Sequence, residues 1–438
     1  RMPAPGWSKQ GQFRARPRPG AERGPNEEDG MRIFGEHDEA TLAQLRDVAS
    51  RAEKAALMAD GHVGYVMPIG GVAAYRDKVS VVGVGFDIAC GNAAIRTNLT
   101  LSDLGGTERE LARRLNELAD EIQDTVSFGI GRKNRADDAP VDHPLFDDPA
   151  WEAVPAKERA SLRSKARAQL GTVGSGNHYV DVFADETDTL WVGVHFGSRG
   201  FGHTVASGFL ALGQGRRWGD RVPEWEVLLP LESPLGHDYW HLMELAGRYA
   251  YAGREWVARK VVGILGGVEV ELVHNHHNFA WRETHDGEEF IVVRKGATPA
   301  FPGQKGFIGG SMGDDAVIVQ GTPAERADEA TLRAQKEALY STVHGAGRIM
   351  SRTAAAGKRN RRTGEVIRPG LVSTKMMRAW IKEKGVILRG GGPDESPHVY
   401  RRLPEVLAAQ GSTIEVLHVL KPLIVVMAGA NEFDPYKD

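Results

Sequence analysis

The sequence predicts an α+β chain, with central β-sheets flanked by helices in one large domain. Three observations carry this: helix-like and strand-like stretches alternate irregularly, no solenoid or propeller period recurs, and no long linker divides the 438 residues. A regular doubly wound unit would alternate more evenly.

The elements follow in order. Residues 1–30 scatter Pro, Gly and Arg with little apolar periodicity, and Lys9, Arg16, Arg18 and Arg23 make the segment a basic arm expected to be poorly ordered. Leu42, Leu45, Val48, Ala52 and Leu57 fall at helical spacing, and Thr41 with the acids before it suits a start, so a helix is predicted from Glu39 to about Leu57. Residues 61–96 alternate glycine with short β-rich runs, Gly70 to Ala74 and Val79 to Val84, which read as strands and tight turns lining a site. Helices are expected at about Thr107–Val126 and Ala156–Leu170, separated by an irregular polar loop over 130–155. Strands are expected at Tyr179–Phe183, Thr189–Val194, Val268–Val273 and Phe290–Val293, and a long helix between Asp238 and Val262. Thr331–Tyr340 and Lys375–Lys384 read as helices, and Ile414–Met427 as paired strands.

Composition narrows the function. Apolar and charged fractions are those of a globular protein, and a net charge of −3 supplies no global field for nucleic acid, so any polyanion contact is a local basic patch that includes the N-terminal arginines. A single cysteine and the lack of a charged-then-apolar leader pattern predict a cytoplasmic protein. The stretch Leu420–Ala430 is broken by Lys421 and Pro422 and falls short of the roughly 20 residues that cross a bilayer, so no membrane span is expected.

The lone cysteine, Cys90, lies in Gly83-Val-Gly-Phe-Asp87-Ile-Ala-Cys90-Gly-Asn92, three residues after a carboxylate and between glycines that suit a sharp turn or a close ligand approach. Elsewhere such a cysteine is commonly a small buried hydrophobe. Four segments set histidine beside glycine or asparagine: Gly174 to His178, Val194 to Gly200, His274 to Asn278 and Val343 to Arg348. One such histidine is ordinarily a satisfied polar side chain; four, with Asp87 and Cys90, form a donor set for a first-row transition metal. Neither paired Cys-x-x-Cys motifs nor a His-Glu-x-x-His helix occurs, which disfavours a zinc finger or a standard metalloprotease. Arg294 to Thr298, Gly309 to Gly313 and the His344 loop combine glycine-freed amides with cationic side chains, as anion cradles do, although each alone is commonly a turn. The Walker spacing of a P-loop is absent.

Taken together, Gly64 to Ala73, Gly83 to Gly91, Gly174 to His178, His195 to Gly200, His277-Asn278, Arg294 to Thr298, Ser311 to Gly313 and His344 to Arg352 resemble the RtcB family of RNA ligases, in family order from about residue 31 to 427. The resemblance implies a catalytic domain over 31–438 and a dinuclear metal site in a central cleft. It implies joining of an RNA 3′-phosphate or 2′,3′-cyclic phosphate to a 5′-hydroxyl, in RNA repair or tRNA splicing, using GTP and two Mn(II) ions, with an archease-type activator as a candidate partner. Cys90 would bridge the ions; Asp87, His178, His195 and His277 would complete their ligands, in a division the sequence leaves open; and His344 would be the nucleophile that takes GMP. Asn177, Asp181, Ser311, Gly345, Ala346, Gly347 and Tyr400 match nucleotide-contacting positions, and Arg199, Arg348 and Arg352 match positions near phosphates. Asp60 and His62 are flanking candidates.

Two departures bear on the nucleotide. Asp181 stands where the family has a glutamate that accepts from guanine, and Met427 stands where it has a lysine, so Lys421 or Lys437 would have to supply that donor. With the slightly altered Asp87–Asn92 loop, they mark a divergent paralogue. A two-metal phosphoesterase that opens or cleaves RNA 3′-phosphate ends without ligation is the alternative activity; a non-catalytic RNA-end-binding module is disfavoured because the metal-site residues and His344 are all present.

Overall fold

The computed structural model describes residues 26–28, 30–359, 363 and 365–430. The basic arm over residues 1–25 and Lys437 lie outside them; Asn26–Glu28 is a strand paired with Met31–Ile33. Two sheets dominate. The smaller runs Asn26–Glu28, Met31–Ile33, Lys54–His62, Ile69–Tyr75, Glu288–Lys295, Asn278–His285. The larger runs Glu269–His276, Gly91–Thr100, Thr189–Phe196, Tyr179–Ala184, Ile414–Gly429, Ala316–Gly321, Lys305–Ile308, with Ile387–Gly391 parallel to Ile414–Gly429. The expected α+β class, with central sheets flanked by helices, is what forms.

The chain passes from the larger sheet to the smaller at His277, the single residue between Glu269–His276 and Asn278–His285. In the larger sheet Gly91 pairs with Phe196 on one side and His276 on the other, so three strand ends meet at that crossover. A 32-residue helix, Pro234–Leu265, packs across the larger sheet. Its start is fixed by Ser233, which accepts from the Gly236 amide, and by proline in the first turn; its end is Gly266 in the left-handed region (φ 82°). The Glu108–Thr125 helix opens with reciprocal Thr107 and Glu110 caps, a device worth about 1 kcal/mol.

Four expectations differ in detail. The helix predicted to Leu57 stops at Ala49 with Ser50 as its cap, and Lys54–His62 becomes a strand in which Leu57 is fully buried. The run to Val84 leaves its strand at Ser80, whose hydroxyl accepts from the Gly83 amide and starts one helical turn, Val81–Val84. Thr331–Tyr340 ends its helix at Glu337, and Leu339 and Tyr340 follow with positive φ. Ile414–Met427 is one continuous strand, not a pair; Pro422 has no N–H for the ladder and the register shifts between Pro422 and Ile424. One helix, Arg199–Gly213, lacks a sequence signal because its glycines depress helix propensity. Packing decides there: a Cβ at Gly202 would sit 1.8 Å from Ser198 Oγ, and one at Gly208 2.4 Å from the Trp218 ring.

Candidate metal centre

The crossover opens into a cavity of about 270 Å³. Cys90 and Asp87 reach it from the turn before Gly91–Thr100, His178 from the turn before Tyr179–Ala184, His195 from the end of Thr189–Phe196 and His277 from the crossover. His344 follows the Ser341–Val343 strand. One histidine from each of the four histidine-bearing segments joins a continuous row, with ring centroids 5.4 Å apart for His178 and His195, 5.1 Å for His195 and His277, and 4.8 Å for His277 and His344.

Cys90 sits between two donor groups. Its sulfur lies 3.2 Å from His195 Nε2 and 3.6 Å from His178 Nε2, and His178 Nε2 lies 3.1 Å from Asp87 Oδ2. Cys90, His195 and His277 present donor atoms within 4.8 Å of one another, and so do Asp87, Cys90 and His178. The division that the sequence left open therefore has a geometric form, in which the thiol is common to both groups.

Electrostatics suit cation binding. Burial holds His195 and His277 well below the usual imidazole range, so both stay neutral with lone pairs to offer. Burial would push the Asp87 carboxyl up, but contacts with His178 and the charge of Arg199 hold it below its ordinary value. Burial and the neighbouring Asp87 charge push the Cys90 thiol well up, and a metal ion is the agent that ionises such a thiol. Nδ1 of His178 and of His277 is buried without a hydrogen-bond partner. Thiol, neutral imidazole and carboxylate together fit a divalent transition metal.

At the other end of the row, Asp60 is fully buried and its Oδ2 lies 2.6 Å from His344 Nδ1. The same oxygen accepts the backbone N–H groups of His344 (3.0 Å) and Gly345 (3.2 Å). Gly347 has φ 74°, and a Cβ there would meet the Asp60 carbonyl at 2.3 Å, which is why this loop needs glycine. Asn177, Asp181, Ser311, Gly345, Ala346, Gly347, Arg348 and Tyr400 all line the cavity. Ser311 donates to Asp314 Oδ2 (2.6 Å), and the Asn177 carbonyl faces His195 Nδ1 (3.1 Å). Arg348 donates to the Tyr400 hydroxyl (3.0 Å) and the Asp394 carbonyl (2.8 Å), and Glu395 takes contacts from Arg348, Arg352 and Tyr400.

Asp181 pairs with Val425, and Met427 with Tyr179, so Tyr179, Asp181, Val425 and Met427 form one patch of cavity wall. Burial pushes the Asp181 carboxyl well above the usual carboxylate range, and its Oδ1 has no hydrogen-bond partner. Lys421 is exposed and six residues away along an extended strand, roughly 20 Å, so it is not the donor missing at Met427.

Several expected contacts lie elsewhere. Arg199 is half-buried and donates to Thr172 Oγ1 and the Gly129 carbonyl, and neither it nor Arg352 lines the cavity. His62 does line it. In the Arg294–Thr298 segment only Gly296 faces the cavity: Arg294 forks onto Glu283 (2.6 and 3.1 Å) and Lys295 donates to the Val82 carbonyl (2.6 Å), so these cations hold the fold. The sequence reading missed Glu395, which gathers two arginines, and Arg254, which is fully buried on the long helix. Arg254 follows Ala250 and precedes Ala258 by four residues, on the buried stripe, and a charge on an apolar stripe was the available signal.

Among the described residues no helix is long and apolar enough to cross a membrane. The family model described as tRNA-splicing ligase RtcB matches residues 40–428. The chain is 32% identical to the RNA-splicing ligase RtcB1 of Escherichia coli over 394 residues, covering 85% of this chain and 89% of that protein. It is 31% identical to the tRNA-splicing ligase RtcB of Thermococcus kodakarensis over 444 residues, 84% of this chain and 86% of that one. It is also 31% identical to the RNA-splicing ligase RtcB homolog 1 of Entamoeba dispar over 446 residues, 84% and 78% respectively.

Proposed function

Because the chain belongs to the RtcB family of RNA-splicing ligases, we propose that this RNA ligase joins an RNA 3′-phosphate or 2′,3′-cyclic phosphate to a 5′-hydroxyl, using GTP and two Mn(II) ions, through a guanylyl-His344 intermediate. Residues 31–438 are its catalytic domain, the reducing cytoplasm its setting, and an archease-type activator the partner that the resemblance implies. The observation that carries the reading is a thiol common to two donor groups, with an imidazole backed by a buried carboxylate at the end of the same row of rings.

Cys90, His195 and His277 would hold one ion and Asp87, Cys90 and His178 the other. When bound, the ions supply positive charge that offsets the charge growing on phosphoryl oxygens. The carboxylate against Nδ1 keeps the His344 proton on that nitrogen, so Nε2 carries the lone pair. Nε2 attacks the α-phosphorus of GTP, the bond to the β-phosphate oxygen breaks and pyrophosphate leaves. An oxygen of the RNA 3′-phosphate then attacks the guanylyl phosphorus, the N–P bond breaks and His344 is restored. The RNA 5′-hydroxyl attacks the activated 3′-phosphorus, losing its proton, and GMP departs. Arg348, aimed by Glu395 and Tyr400, is the fixed cation facing the transferred phosphates. Tyr179, Asp181 and Met427 form the wall proposed to receive the base.

Incubation of the purified protein with α-labelled GTP and Mn(II) tests this. Acid-labile, base-stable label that is absent from His344→Ala is expected. Hydrolysis of RNA cyclic phosphate ends without label from any nucleotide would sink the ligase mechanism in favour of a two-metal phosphoesterase.

A further inference from the structure

Arg254 has no part in the steps above, yet its guanidinium reaches the three chain segments that deliver Cys90, His195 and His277. Nη1 donates to the carbonyls of Ala89 (2.9 Å) and Phe196 (2.6 Å). Nη2 donates to His276 Nδ1 (2.8 Å), and Nε to His274 Nε2 (2.9 Å). Ala89, Phe196 and His276 are each the immediate chain neighbour of one member of that donor group.

We propose that Arg254 is the positioning residue that sets the spacing of the Cys90–His195–His277 metal group, and that the Asp87–Cys90–His178 group depends on it far less. The proposal rests on the metal-centre reading above. All three members of the first group are anchored next to an Arg254 contact, whereas only the shared Cys90 is so anchored in the second.

The chemistry of the contacts explains the choice of residue. A guanidinium has donors only, so His276 Nδ1 must accept and its proton sits on Nε2; His274 Nε2 likewise accepts, which turns its Nδ1 proton toward Glu255 Oε1, 3.5 Å away. The planar fork addresses two carbonyls and two imidazoles at fixed angles, which a single ammonium cannot do. Ala89 holds φ 61°, a left-handed backbone that a non-glycine residue keeps only where its surroundings enforce it, and its carbonyl is one of the atoms Arg254 grips. Gly91, just past Cys90, lets the guanidinium in: a Cβ there would lie 3.0 Å from Nη2 and 2.2 Å from the Asn275 carbonyl. His276 is also stacked on Tyr251, with centroids 3.9 Å apart, so the arm that ends at His277 is held on two sides.

Cobalt(II) titration of the full chain, read by absorbance of the thiolate–cobalt band and by bound-metal analysis, tests the assignment. The intact protein is expected to take two equivalents, and Arg254→Lys to weaken one of them by about tenfold or more while the other changes by less than about threefold. The weakened equivalent should be the one missing in His277→Ala. Tyr249→Phe is the packing control: it removes a hydrogen bond from the same helix to the Ala166 carbonyl (2.8 Å), so it should lower the melting temperature of the metal-free protein and leave both equivalents unchanged. His276→Phe keeps a ring against Tyr251 but deletes one acceptor, should weaken the same equivalent, and decides the matter if Arg254→Lys does not fold. A folded Arg254→Lys or His276→Phe protein with both affinities intact, or with both weakened equally, overturns the proposal. Intact protein that takes up no cobalt overturns it together with the metal-centre reading.

Discussion

Asp60 Oδ2 contacts His344 three ways at once: it lies 2.6 Å from the ring Nδ1, accepts the residue's own N–H at 3.0 Å, and accepts that of Gly345 at 3.2 Å. One buried carboxylate thus touches both the ring and the backbone of the loop. Asp60→Asn keeps an acceptor for the backbone but removes the charge that favours a proton on Nδ1. Guanylylation should slow about a hundredfold, with cobalt binding unchanged; labelling at the normal rate would show that the tautomer is set by something else.

Cys90→Ala removes the donor common to both groups, so the two cobalt equivalents should be lost together and no label should reach His344. His178→Ala touches only the group that contains Asp87, so one equivalent should remain. Retention of both ions in Cys90→Ala, by bound-metal analysis, would refute the shared thiol.

Met427→Lys brings an ammonium into a wall where, among the described lining residues, Arg348 is the only lysine or arginine. Met427 is diagonal to Asp181 across neighbouring strands, within reach of a long side chain. The added charge should ionise the Asp181 carboxyl and supply a donor to the base. GTP-over-ATP preference in competitive labelling should rise about tenfold, as for one good polar contact to a base edge. An unchanged ratio would mean that the base lies elsewhere.

Acid should destabilise the metal-free protein before most carboxylates titrate. Burial holds His62 and His274 down to about 4, and His195, His276 and His277 well below their ordinary value. In the unfolded chain these rings protonate near 6.5, so between pH 6.5 and 4 the unfolded state binds more protons. Stability is complete above pH 6.5 and falls as pH drops, by roughly 1.4 kcal/mol per unit for each histidine. Asp181 and Asp315, whose carboxyls burial pushes up, oppose this, but two carboxyls stand against five imidazoles. Urea unfolding at pH 7.5 and pH 5 measures the difference; equal midpoints would contradict it.

The residues that meet in the cavity were legible in the sequence because Asp87 with Cys90, His178, His195 and His344 sit in short glycine-bearing segments and His277 in a histidine–asparagine run, and such local chemistry survives without knowledge of the fold. The α+β class was legible because helical and alternating periods are also local. What supports the site was not. Asp60 meets His344 across 284 residues, and Arg254 meets Ala89 across 165, so nothing within a sequence window relates them. Lys295 looked like an anion-binding residue until the fold turned it onto the Val82 carbonyl. Leu57 fitted a helical period until sheet pairing claimed it. In each case tertiary partners outweighed the local pattern.

The Cys90 sulfur belongs to both donor groups, and it has one proton to give. In a two-ion site, whichever ion arrived first would have to drive that deprotonation alone; the second would meet a sulfur already anionic and release nothing from it. On the two-ion reading proposed above, the affinity of the first ion should therefore rise with pH through that thiol, while the second should gain nothing from it.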